Sequence, residues 1–259
     1  MTTLKGAVAD ADSVKEYLEN VLKVPQSHIR NLRNAQATRT AIIAEFCALE
    51  TNTDINPGDP ILIYYAGHGG EVIPPADWEA GGADSKTQML IPHDYRTKVD
   101  GREVYGIPDR TIGVLINRIA KAKHDNIVRP ISHFGFRSLT MHQTVIFDCC
   151  HSGSGTRTDE IKPTHLYRGF TIPGIIPADL DQNIWGTSDG SRGMHIPPGF
   201  LHCGFRSHIL LAACGAKEKA KEENGRGFFT KAFLDVLKTV GADKITYTEL
   251  VKRIHALPE

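Results

Sequence analysis

Apolar residues in this chain follow two rhythms. Ile61-Leu-Ile-Tyr-Tyr-Ala66 and Thr144-Val-Ile-Phe147 are nearly continuous apolar runs, and each breaks into a turn of small and polar residues, Gly67-His-Gly-Gly70 and Asp148-Cys-Cys-His-Ser-Gly153. Short runs of this kind predict strands buried on both faces, here over 60–65 and 144–148. His208-Ile-Leu-Leu-Ala-Ala213 predicts another strand, Met89-Leu-Ile91 a short one stopped by Pro92, and Ile29-Arg-Asn-Leu32 a further short one. The second rhythm is helical. Val14, Leu18, Val21 and Leu22 predict a helix over 11–23. Thr38 caps a helix whose apolar face is Ile42, Ile43, Phe46 and Leu49. Asp109 caps a helix over 110–123 with Ile112, Leu115, Ile116 and Ile119 turned inward. Phe229, Ala232, Phe233, Val236 and Leu237 mark a fourth, and Thr246-Tyr-Thr-Glu249 is a capping box opening the last. Segments 70–88 and 152–204 are rich in Gly, Pro and small polar residues and read as loops.

Strands that alternate with helices and are apolar throughout imply an α/β fold, with a mostly parallel sheet covered by helices on both faces. Functional groups gather at the carboxyl ends of such strands, where His68 and Cys150 lie. Composition narrows the function. The 259 residues are 41% hydrophobic, and 30 basic residues balance 30 acidic ones. That balance gives no electrostatic reason for nucleic-acid or membrane binding, and no run reaches the roughly 18 apolar residues of a membrane span. The N-terminus has no signal-peptide pattern. Five cysteines, at 47, 149, 150, 203 and 214, lack C-x-x-C spacing, which suggests neither a disulfide framework nor a zinc knuckle. A cytoplasmic location is the default. Twelve histidines are mostly scattered, and the His202-Cys203 pair has no partner pair at metal-ligand spacing.

A thiol needs a base or a positive field to attack as thiolate, since its free pKa is about 8.5. His68 can supply either. Gly67, Gly69 and Gly70 allow close backbone approach and leave amide N–H groups for an oxyanion. Ser152-Gly153 does the same after Cys150. Period two turns Cys149 away from Cys150, so Cys149 reads as a core residue and His151 as structural. The same period places Asp148 on the side of Cys150. Asp148 then either lines a pocket for a basic side chain or is satisfied by backbone N–H groups or an arginine.

Tyr65-Ala-Gly-His-Gly69 and Asp148-Cys-Cys-His-Ser-Gly153 resemble the catalytic motifs of metacaspases, the caspase-like cysteine peptidases of fungi, plants and protists. Leu4-Lys-Gly-Ala-Val-Ala-Asp-Ala11 is similar to a third family segment, and all three stand in family order, closest to the fungal, mushroom-type members. The resemblance covers almost the whole chain. It implies a single caspase-like catalytic domain over 1–259, a three-layer sandwich with a large-subunit-like part (1–151), a loop-rich linker (152–204) and a small-subunit-like part (205–259). It implies Cys150 as nucleophile, His68 as general acid/base, and the N–H groups of Gly69 and Cys150 as oxyanion hole. Asp10 and Asp148 would bind the P1 side chain, the residue whose carbonyl is attacked, as Arg or Lys. Two carboxylates hold a guanidinium well and repel an acidic P1 group. Arg157, Lys162, Arg168 and Arg192 would be candidate processing sites, with ordinary solvated loop charge as the alternative for each. The partners would be peptides with basic P1 residues. A catalytically inactive caspase-like scaffold, or another thiol hydrolase on an α/β fold, would explain the same motifs less fully.

Departures from the pattern carry expectations of their own. Calcium activation occurs in the family, but Thr87 and Arg157 stand where two acids of its calcium site would be, with Asp94 and Asp109 nearby. An arginine there argues against the cation, so no metal or cofactor is expected for the chemistry. Ala7 and Ala66 replace family Cys and Ser in the pocket. The family strand ahead of Leu4 is missing, which suggests a truncated gene model. Val128–Gln143 interrupts the approach to the nucleophile strand; a Val codon can begin with GT and a Gln codon can end with AG, which suggests a retained intron translated in frame.

Overall fold

A computed structural model describes residues 3–78, 86–123, 144–149, 166–186, 209–213 and 220–255. In chain order it places α1 (Ala7–Asn20), α2 (Arg39–Thr51), β1 (Leu62–Ala66), β2 (Gly69–Ile73), β3 (Thr87–Leu90), β4 (Lys98–Val99), β5 (Arg102–Glu103), β6 (Ile107–Pro108) and α3 (Asp109–Lys123). There follow β7 (Thr144–Asp148), β8 (Leu166–Tyr167), β9 (Gly169–Ile175), α4 (Gln182–Trp185), β10 (Ile209–Ala212), β11 (Lys221–Glu223), β12 (Arg226–Gly227), α5 (Phe228–Val240) and α6 (Tyr247–His255).

The centre is a parallel sheet in the order β1-β7-β10, with Leu62 and Ile209 both beside Thr144 and Ala66 beside Asp148. Every residue of β7 is buried, as a continuous apolar run predicts. Its side chains alternate between two cores. Val145, Phe147 and Cys149 join Ile112, Leu115, Ile116 and Ile119 of α3 and Phe46 of α2 on one face. Ile146 joins Val14 and Tyr17 of α1, Phe233 and Leu237 of α5, and Leu250 of α6 on the other. Helices therefore cover both faces of the sheet. The four α3 residues are each no more than 1% exposed, and burying a side chain of that size is worth about 1.5–3 kcal/mol.

A second sheet, β6-β3-β2-β9, is mixed: β2 runs antiparallel to β3 and parallel to β9. A third, β12-β11-β8, is antiparallel. Segment 70–88 is thus not all loop, because β2 extends directly from the His68 turn. Segment 152–204 likewise contains β8, β9 and α4 among its described residues. Gly169, Pro173 and Gly174 mask the strand signal of β9. An edge strand tolerates them, and Gly174 takes a positive φ of 98°.

Two further expectations change. The first helix starts at Ala7, earlier than its apolar spacing predicts, because its entry is capped from far away: Glu222 Oε1 accepts the Lys5 and Gly6 N–H groups, each at 2.7 Å. It ends at Asn20, and Val21 and Leu22 are exposed. Ile29–Leu32 is not a strand. Ile29 and Arg33 have extended dihedrals, but among the described residues no ladder pairs this segment, and β1 is an edge strand. Residues 124–143, with the Val128–Gln143 interruption, and residues 152–165 and 187–204 lie outside the described residues.

Candidate active site

His68 sits in the turn between β1 and β2, and hydrogen bonds fix that turn. The single Tyr65 hydroxyl hydrogen is shared between the carbonyls of His68 (2.8 Å) and Ile91 (2.9 Å), and Ile91 N–H donates to the His68 carbonyl at 3.0 Å. A side chain at Gly67 would lie 2.6 Å from the Tyr65 hydroxyl, so glycine there lets the tyrosine fold back over the turn. The His68 side chain is buried and stands edge-on to Phe170 of β9, with ring centroids 5.9 Å apart. Burial and desolvation push the Tyr65 phenol well above its ordinary value, so it remains a donor.

The second motif enters from β7. Cys149 is fully buried in the α2/α3 core, as its parity predicts. Asp148, one position back, faces α1 and α5. Cys150 lies outside the described residues, as do Arg157, Lys162 and Arg192.

Asp148 and Asp10 meet. They come from β7 and the first turn of α1, and both are fully buried. Between them lies Arg168, its side chain also fully buried. Arg168 Nη2 is 2.5 Å from Asp10 Oδ2 and 3.3 Å from Glu222 Oε2, and Nη1 is 2.9 Å from Asp148 Oδ2. Arg226 Nε donates to Asp10 Oδ1 at 2.8 Å, and Gly227 N–H to Asp10 Oδ2 at 2.8 Å. Thr230 of α5 donates to Asp148 Oδ2 at 2.5 Å and shares a 2.6 Å bond with the Tyr64 hydroxyl.

Three carboxylates thus meet two guanidinium groups at one buried point. Desolvation pushes the Asp148 carboxyl above its ordinary value, while Arg168 and Thr230 pull it back. Burial also works against the Arg168 charge, but Asp148 and Asp10 outweigh it and hold the guanidinium fully protonated. Stripping one partner from such a pair costs about 3–5 kcal/mol, because it leaves a buried charge uncompensated. Arg168 is therefore not a solvated loop charge. An arginine satisfying Asp148, one of the readings open from sequence, is what the described state contains.

Sequence patterns missed Glu222, Arg226, Gly227 and Thr230. Glu222 is in a Lys-Glu-Glu run that reads as surface charge. Thr230 did leave a trace: it is the polar residue on the stripe Thr230, Phe233, Leu234, Leu237, all buried in α5.

Of the residues aligned with the family's calcium site, Thr87, Asp94 and Asp109 are described and Arg157 is not. Asp94 Oδ1 receives the Arg39 N–H at the start of α2 (2.8 Å), and Asp109 Oδ1 receives the Arg110 N–H (2.7 Å). Thr87 lies buried in β3. Among the described residues no three His, Cys, Asp or Glu side chains are grouped to hold a metal ion, and no helix is long and apolar enough to cross a membrane.

Residues 1–257 match the caspase-domain family, Peptidase C14. The chain belongs to the caspase-domain peptidases. It is similar to Metacaspase-1 of two Saccharomyces cerevisiae strains, YJM789 and ATCC 204508 / S288c, at 26% identity over 188 residues. That match covers 70% of this chain and 34% of the yeast proteins, so the chain spans about a third of their length. The fold is also similar to a solved structure, protein GSU0716 from Geobacter sulfurreducens. The TM-score is 0.54 at 18% identity, over 96% of this chain and 79% of that one. The helices on both faces of the parallel β1-β7-β10 sheet are those of a caspase-like α/β sandwich.

Proposed function

We propose that this caspase-domain protein is a cysteine endopeptidase that cleaves after Arg or Lys. One observation carries the specificity: Asp10 and Asp148, far apart in sequence, converge on a guanidinium at 2.5 and 2.9 Å. A buried site of that charge favours a basic side chain and repels an acidic one. In the chemistry, Cys150 attacks the carbonyl following the bound P1 side chain. His68 takes the thiol proton and returns one to the leaving amine, and the amide N–H groups of Gly69 and Cys150 stabilise the oxyanion. Water then releases the acyl group from Cys150. The substrates are protein or peptide segments, and no metal takes part in these steps.

Peptide reporters ending in Arg, Lys or Asp test this directly. The protein should release product from the Arg and Lys reporters and not from Asp. Cys150→Ala should lower the rate at least about a thousandfold, as expected when a nucleophile is deleted. Hydrolysis of the Asp reporter alone overturns the pocket assignment, and hydrolysis that survives Cys150→Ala overturns the mechanism.

A further inference from the structure

We propose that Arg168 is the protein's own occupant of its acidic pocket, seated as a P1 residue, so that the described state is self-inhibited. The inference rests on the peptidase reading above and adds its regulation. A basic P1 residue must meet three requirements: its guanidinium lies between Asp10 and Asp148, its carbonyl oxygen takes an oxyanion-hole N–H, and its own N–H is paired to backbone. Arg168 meets all three in cis. Its guanidinium bridges the two carboxylates. Its carbonyl accepts the Gly69 N–H at 2.8 Å, the donor assigned to the oxyanion hole. Its own N–H donates to the Ala220 carbonyl at 3.1 Å, with β8 paired to β11 before it and β9 to β2 after it. Phe170, two residues on, stands edge-on to the His68 ring. A substrate arginine cannot enter while this one is present.

The fit of Arg168 is that of an occupant more than of a core residue. Among the described residues, Arg168 Nε and Asp148 Oδ1 are buried with no hydrogen-bond partner. An arginine built permanently into a core normally has its donors matched. Here only the two terminal nitrogens are used, and the Asp148 carboxylate keeps acceptor capacity.

The test reads occupancy separately from catalysis. In a Cys150→Ala background, the protein is titrated with agmatine, a free guanidinium amine, and its melting temperature is followed. With Arg168 present, agmatine should give no saturable rise. With Arg168→Ala it should give one, because the pocket is then vacant. With Cys150 intact, Arg168→Ala should lower KM for the Arg reporter by at least about tenfold, since a cis occupant reduces apparent affinity by the fraction of pockets left open. Because Arg168→Ala removes the cation that three acids share and leaves only Arg226 on Asp10, a second variant adds Glu222→Gln. This removes one charge and keeps the Oε1 acceptor for Lys5 and Gly6. Equal agmatine binding with and without Arg168, or no binding by folded Arg168→Ala, overturns the proposal. Failure of both variants to fold, read by circular dichroism, also overturns it, because Arg168 is then an irreplaceable core residue. Agmatine binding to the Arg168→Ala form with no Cys150-dependent hydrolysis in any variant would retire the peptidase reading and leave the occupancy standing.

Discussion

At the scale of single residues, the acidic pocket depends on one missing methyl group. A side chain at Gly227 would lie 2.6 Å from Asp148 Oδ2, 2.7 Å from Asp10 Oδ2 and 2.8 Å from Arg168 Nη1. These atoms are held by ion pairs and cannot step aside cheaply. Gly227→Ala should therefore cost about 1–3 kcal/mol, the usual cost of overpacking, seen as a lower urea midpoint, and should raise KM for Arg reporters. A variant with unchanged midpoint and KM would show that the cluster is looser than its distances indicate. Asp148 makes a second prediction. Its folded pKa is raised, so its ionisation opposes folding. Its contribution to stability is fully present below the unfolded value, about 3.9, and is lost as pH rises toward the folded value. Urea unfolding from pH 4 to 7 should show the protein losing stability relative to Asp148→Asn as pH rises. A gap between the two that does not change with pH would refute this.

At the scale of elements, those whose signals are local were legible and those completed from a distance were not. Helix α2 begins where Thr38 predicts, with the Ala41 N–H donating to Thr38 Oγ1 at 3.2 Å. The last helix opens with the Glu249 N–H on Thr246 Oγ1, also at 3.2 Å. Thr38→Ala should lower stability by about 1 kcal/mol, typical of a lost cap. A thermal or urea midpoint unmoved by that change would show that tertiary packing alone fixes the α2 start. Helix α1 was misread because its entry is satisfied by Glu222, which no local pattern connects to Lys5 and Gly6. Ile29–Leu32 has a strand's sequence, and Ile29 and the following Arg33 have extended dihedrals, but a strand is completed by its neighbour. Strands β2 and β9 were hidden by glycine. Gly70 in particular is needed, because a side chain there would lie 2.8 Å from Ile172 Cδ1 on the adjoining strand.

At the scale of the whole molecule, hydrophobic parity carried the architecture. The unbroken apolar run into Phe147 predicted helices on both faces, and period two turned Cys149 and Asp148 to opposite sides, where the two cores lie. The pairing of Asp148 with Asp10 came from family resemblance, because no spacing rule links α1 to β7. Arg168 was marked only as one of four candidate processing sites, not as a partner of Asp10 and Asp148, and Glu222 had no signal beyond ordinary charge. The cluster also imposes an order in time. Asp10 precedes Arg226, Gly227 and Thr230 by most of this sequence, so a ribosome makes it long before them. Domains fold as units once their chain is available. Under the function proposed above, a nascent chain of this design would carry its thiol and imidazole long before the residues that complete its acidic pocket. Synthesis itself would then keep it harmless until almost all of the domain had emerged.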